Sequence, residues 1–195
     1  MVVCDGDRLV GLVPVHRLLT ASGSEEPIAR RFWHRLPWLL LGLAGVLLAA
    51  GIVARFERSL VANVELAFFI TGIVYMADAV GTQTETLIVR GLSIGVPVRD
   101  VVRRELMTGA LMGIVLAAAF AVVGLPIWHR PEVVLAVALA LLAACSTATI
   151  VAMALPWFLH RLGAAPAFGS GPLSTVIQDL LSIIIYFSIA TALVG

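Results

Sequence analysis

The stretch FGSGPLSTVIQDLLSIIIYFSIATALVG (Phe168–Gly195) holds one charged residue, Asp179, inside an otherwise apolar run. A helix that crosses a bilayer needs about 20 largely apolar residues, each rising about 1.5 Å. Leu180 to Gly195 reaches that length only when extended back through Asp179 towards Pro172, so the carboxylate belongs to the span. A charge at membrane depth is expensive unless it faces protein, water or a bound cation. On a helix, Thr175 at i−4, Ser182 at i+3 and Tyr186 at i+7 share roughly the face of Asp179, which predicts one polar stripe on an apolar rod. Hard divalent cations take oxygen ligands, and Mg²⁺ keeps several of its waters. A lone carboxylate among hydroxyls therefore suits a hydrated Mg²⁺; the alternative is an Asp that caps a broken helix or bonds a neighbouring hydroxyl. Gly169-Ser170-Gly171 ahead of Pro172 can unwind the helix and expose carbonyls, or Pro172 can be a simple N-terminal proline.

Outward from this segment the rest of the chain has the same character. It has 195 residues, 61% of them hydrophobic and 13% charged, with a mean hydropathy of +1.05. Soluble domains carry about 25% charged residues. Four further segments are long enough to span: Leu36–Ala54, Leu66–Val89, Leu106–Trp128 and Val133–Leu159. Five such segments leave almost no amphipathic surface, which excludes a water-soluble exterior. The expected fold is an all-α polytopic membrane protein with five transmembrane helices, residues 36–195. All the basic residues are Arg, in short clusters between apolar runs, and net charge is +1, so nucleic acid is not an expected partner. Arg30, Arg31 and Arg35 precede the first span, and Arg90, Arg99, Arg103 and Arg104 link the second to the third. The remaining links are poorer in Arg, which predicts a cytoplasmic N-terminus and a C-terminus outside.

The second span carries the other intramembrane charges. Asp78 lies near its middle and Glu85 two turns further along the same face, with Thr82 between them and Gln83, Thr84 and Thr86 nearby. Gly72 and Gly81 permit close helix approach or exposed carbonyls. These residues predict a second oxygen-lined contact for a cation, against the alternative of interhelical hydrogen bonding or a Glu85–Arg pair. Cys4 and Cys145 read as free thiols, and His34, His129 and His160 sit near span ends without a ligand cluster. No nucleophile-plus-base spacing and no nucleotide-binding glycine loop is present, so neither an enzyme nor a nucleotide ligand is expected.

Residues 1–21 differ in kind. Val2–Leu19, VVCDGDRLVGLVPVHRLL, reads as a strand, a turn at Asp5-Gly6-Asp7, a second strand over Leu9–Val13 and a short helix from Pro14. Residues 22–35 read as a polar linker and an interfacial lead-in anchored by Trp33, with Trp38 just beyond.

The chain resembles the membrane domain of the MgtE family of magnesium channels and transporters. The likeness is strongest in GTQTETLIVRGLSIG (Gly81–Gly95) and in Ser170-Gly171-Pro172 followed by Asp179 and Ile184-Ile185-Tyr186-Phe187. The family's glycine-rich GGNxGTQ stretch keeps only Gly81-Thr82-Gln83; Ala79 stands where Asn is usual and Asp78 where Gly is expected. The resemblance implies a homodimer in a prokaryotic cell (inner) membrane, with five spans per subunit. Its pore would lie on the dimer axis between the second and fifth spans, with Asp179 of each subunit facing a hydrated Mg²⁺ (Mn²⁺ and Co²⁺ being further candidates). It also implies that residues 1–21 are a remnant of a CBS domain. The expected function is divalent-cation transport; the alternatives are a Na⁺- or H⁺-coupled exchanger of the same fold and a non-transporting membrane interaction protein.

Overall fold

The computed structural model describes residues 2–5, 8–12, 27–93, 101–162 and 166–194. The chain divides into two units, Met1–Leu39 and Leu40–Gly195. In the first, β1 (Val2–Asp5) and β2 (Arg8–Leu12) pair antiparallel, Val2 opposite Leu12 and Asp5 opposite Arg8, with an irregularity between Val3 and Cys4. The second strand thus begins and ends one residue earlier than expected. The helix expected from Pro14 and the linker at 22–26 lie outside the described residues. The interfacial lead-in is helical: α1 runs over Ile28–Arg55, continues through Pro37, and leaves Trp33 largely exposed beside Phe32. Two paired strands assign no domain family by themselves.

Beyond α1 the chain forms a short corner helix α2 (Glu57–Ala62), then α3 (Glu65–Ser93), α4 (Val102–Trp128), α5 (Pro131–Arg161) and α6 (Pro166–Val194). Among the described residues, α1, α3, α4, α5 and α6 are long and apolar enough to cross a membrane, as the five runs in the sequence predict. The protein is a multi-span membrane protein with an all-α membrane part.

α5 is the helix around which α3, α4 and α6 assemble. The reason is visible in its sequence: Ala136, Ala140, Ala144, Ala148 and Ala152 recur every fourth residue, and all five are buried. Lipid tails are as apolar as Leu, so association in a bilayer depends on close backbone approach, which small residues allow. α4 answers with Gly109 and Gly113. A methyl added at Gly113 would stand 3.0 Å from the Leu142 carbonyl oxygen, and one at Gly109 would run into Thr149. The α4–α5 turn is tight. His129 closes α4 in the left-handed region (φ 52°), and Pro131 opens α5 at a position whose N–H has no helical partner.

Tyr186, fully buried, donates from its hydroxyl to the Leu66 carbonyl at 2.8 Å and so pins α6 to the start of α3. Phe187, beside it, stacks on Phe56 with ring centroids 4.6 Å apart. This corrects the expected polar stripe on α6: Tyr186 is turned into the protein, and Ser182 is buried with it at 1% exposure. A second correction concerns Gly169-Ser170-Gly171. The helix runs unbroken from Pro166, so Pro172 lies inside α6 and marks neither an unwound segment nor a first turn.

Replacing Tyr186 with Phe removes one buried interhelical hydrogen bond while keeping the ring. Such bonds are worth about 0.6–1.7 kcal/mol in membrane proteins. Y186F is expected to lower the thermal midpoint in detergent by a few degrees, and an unchanged midpoint would show that the hydroxyl carries no stability.

Candidate functional site: the crossing of α3 and α6

Moving from Leu66 to Asp78 along α3 corresponds to moving back from Tyr186 to Thr175 along α6, so the two helices run antiparallel. At the second of these contacts Thr175 Oγ1 donates to Asp78 Oδ1 at 3.1 Å. Asp179 follows Thr175 by one turn, is only partly buried, and lies within electrostatic reach of Asp78. The three residues that the sequence singles out on separate spans therefore come together. Among the described residues no basic side chain pairs with either carboxylate. Two such carboxylates, set about one helical turn apart along α6, repel each other, and a divalent cation relieves that repulsion more effectively than a monovalent one.

The other candidates divide. Thr82, one turn along α3 from Asp78, is exposed, and its carbonyl accepts a bond from Thr86 Oγ1 at 2.8 Å. Glu85 is buried at 9% exposure and lies two turns from Asp78, about 10 Å along the helix. The shared face expected for Asp78, Thr82 and Glu85 is thus split: the helix turns Glu85 inward and Thr82 outward, and Asp78 stands at the edge between. Thr84, next to Glu85, is buried and donates to Glu105 Oε2 of α4 at 3.3 Å. Ser182 lies in the packed interior and not with the Asp78–Thr175 pair.

Among the described residues no three His, Cys, Asp or Glu side chains converge as a metal cage. One chain supplies two carboxylates and a threonine hydroxyl, a donor set of hard oxygens that suits a cation still carrying waters.

Two contacts, one at the site and one away from it, were not legible in the sequence. Gln178, beside Asp179, is buried at 2% exposure, and its Nε2 donates to Ser174 Oγ, which is fully buried. Its amide packs against the Gly81 backbone, in the space where a side chain at 81 would stand. The sequence signal was an amide inside an apolar run, directly before the acidic residue. At another place Arg130 holds the α2–α3 corner to the α4–α5 turn. It donates to Asn63 Oδ1 at 3.2 Å from both terminal nitrogens and to Glu132 Oε1 at 2.9 Å, with Glu65 Oε2 at 3.8 Å. Asn63 and Glu65 are far from Arg130 in sequence, and nothing local links them.

The Thr175–Asp78 bond gives a measurable coupling. In a double-mutant cycle of D78A and T175V, the interaction is expected to amount to roughly 0.5–1.5 kcal/mol in detergent unfolding, since partners in direct contact do not add. Strict additivity would mean that the two side chains do not stabilise each other.

Residues 70–189 match the family model MgtE, described as a divalent cation transporter. The chain is 36% identical over 167 residues to a magnesium transporter MgtE of Bacillus subtilis, an alignment covering 83% of this chain and 37% of the relative. It is 32% identical to the magnesium transporter MgtE of Thermus thermophilus (98% of this chain, 48% of the relative). To that of Enterococcus faecalis it is 33% identical (86% and 38%). The chain thus spans less than half the length of these relatives. The matched region contains both acidic spans and the crossing between them, and the chain belongs to the MgtE family of divalent cation transporters.

Proposed function

We propose that this chain moves divalent cations, Mg²⁺ first, across a bacterial membrane along the α3–α6 crossing. The observation that carries the reading is the Thr175–Asp78 hydrogen bond, which brings the acidic residue of one span beside Asp179 of another, with no basic side chain among the described residues paired to either. Magnesium transport by the named relatives supports Mg²⁺ as the cargo. Asp179 and Asp78 attract the ion, and Thr175 orients Asp78. Thr82, exposed one turn away, offers a hydroxyl to the hydrated ion. Glu85 serves a second step of the path about 10 Å along α3, and Ser182 holds α6 in place behind Asp179.

In this reading the working unit is a homodimer whose axis passes between the α3 and α6 helices of two copies. The exposed side of α3, with Phe68, Thr71, Tyr75 and Thr82, is the surface available for that pairing. Two Asp179 carboxylates facing one axis would favour divalent over monovalent ions by charge alone. The N-terminus is cytoplasmic and the C-terminus outside. Residues 36–195 form the pore domain, and the β1–β2 hairpin of residues 1–21 corresponds to the strand pair of a CBS domain.

Uptake into proteoliposomes, comparing Mg²⁺, Mn²⁺, Co²⁺ and Ca²⁺, tests the proposal. Divalent flux well above empty liposomes is expected; none would sink it, and flux that requires an opposing Na⁺ or H⁺ gradient would make the protein an exchanger. D179N keeps size and hydrogen-bonding capacity but removes charge, and is expected to cost at least about tenfold in uptake, the scale of one lost charge contact of 1.4 kcal/mol.

D78G tests the residue that departs from the family pattern. Its added field strengthens attraction for every divalent ion, so its removal is expected to lower apparent affinity for Mg²⁺, Mn²⁺, Co²⁺ and Ca²⁺ together while the fold stays intact. If D78G handles all four metals as the parent does, Asp78 is structural.

A further inference from the structure

The amide of Gln178 occupies an unusual position. It is 2% exposed, and its Nε2 bonds to the buried Ser174 one turn back on the same helix. Among the described residues its Oε1, which is buried, has no hydrogen-bond partner. That oxygen lies where a Cβ on Gly81 would project, so it faces the Cα–H of Gly81 directly. Only glycine leaves room for it. A Cα–H···O contact is a weak substitute for a hydrogen bond, and an apolar side chain of similar length would fill the same notch without leaving an acceptor unsatisfied. The amide is therefore costly as packing material. Its neighbours are informative: Gln178 immediately precedes Asp179, and because α3 and α6 run antiparallel its side chain reaches back past Ser174 to meet Gly81, three residues beyond Asp78 on α3.

We propose that Gln178 is a positioning residue: wedged over Gly81 and anchored by Ser174, it sets the spacing and rotation of α6 against α3, and with them where Thr175 and Asp179 stand relative to Asp78. The inference deepens the transport reading and rests on it for its functional consequence, but the geometric claim stands apart. Gly81 and Gln178 act as a matched size pair. A methyl at 81 expels the amide, α6 retreats or turns, and the Thr175–Asp78 bond is lost. Shortening residue 178 in the same chain restores the room.

The test uses the full chain with G81A, Q178A and the double variant G81A/Q178A, each in two assays. The first is Mn²⁺ uptake into proteoliposomes, read as KM and maximal rate separately, with thermal midpoints recorded for every variant. G81A is expected to raise KM about tenfold, and the double variant to return it to within about threefold of the parent, the non-additivity of residues in contact. Merely lost stability would instead reduce the amount of active protein, and so the maximal rate, at unchanged KM. The second assay needs no transport. With Cys4 and Cys145 replaced by Ser, disulfide formation between D78C and T175C reports the crossing directly. It is expected to slow in G81A and to recover in the double variant.

Recovery of cross-linking by the double variant supports the positioning claim even if the parent moves no divalent cation, in which case only the transport reading fails. The claim is overturned if G81A cross-links as fast as the parent, or if the double variant stays as slow as G81A. It is equally overturned if G81A fails to fold and Q178A alone leaves both cross-linking rate and KM unchanged.

Discussion

In lipid, two helices gain nothing from hiding apolar surface from each other, because the surroundings are equally apolar. What holds this bundle is close approach of backbones, and α5 supplies the surface that makes it possible. The buried alanines at 136, 140, 144, 148 and 152 form a smooth ridge, and Gly109 and Gly113 let α4 come against α5 to van der Waals distance. α3 and α6 pack on the same helix, so the geometry of the acidic crossing is inherited from α5, which contributes none of the acidic residues there. The apolar residues of α1 and α4 that remain exposed, such as Leu47, Leu48, Leu111 and Val122, face the hydrocarbon where such side chains belong.

Among the described residues, two polar contacts in particular tie elements together. Tyr186 fixes the height of α6 on α3, and the Arg130 fan fixes the α2–α3 corner on the α4–α5 turn. Several hydroxyls do neither: Ser146, Thr147, Ser188 and Thr191 bond to carbonyls of their own helix, which satisfies the group without joining elements. The acidic crossing differs because the Thr175–Asp78 bond runs between helices and, among the described residues, no basic side chain pairs with Asp78 or Asp179. That combination separates a site from a structural tie.

The number and type of spans were legible because hydrophobic length is a one-dimensional property. Asp179 and Asp78 were legible as site candidates because a charge in such a run has few structural uses. Rotation was the weaker part. Spacing of three, four and seven residues places Ser182 and Tyr186 near the face of Asp179, yet each neighbouring helix takes a different part of that face, and both residues were claimed by the core. Thr82 and Glu85 were separated in the same way. The Gly81–Gln178 contact could not be read, since a glycine declares that something comes close but not what. Asn63, Glu65 and Arg130 illustrate the remaining limit: their association joins two corners remote in sequence, and no local pattern encodes it.

The alanine ridge has a consequence for how this chain can vary. Any residue larger than Ala at one of those five positions must push a neighbouring helix outward, and the displacement would be transmitted to α3 and α6 at once. Among the described residues, the exposed sides of α1 and α4 have no such neighbour and need only remain apolar. Freedom to change is therefore distributed unevenly: broad on the two outer helices, and nearly absent along a single line through the middle of the protein where no side chain performs any chemistry.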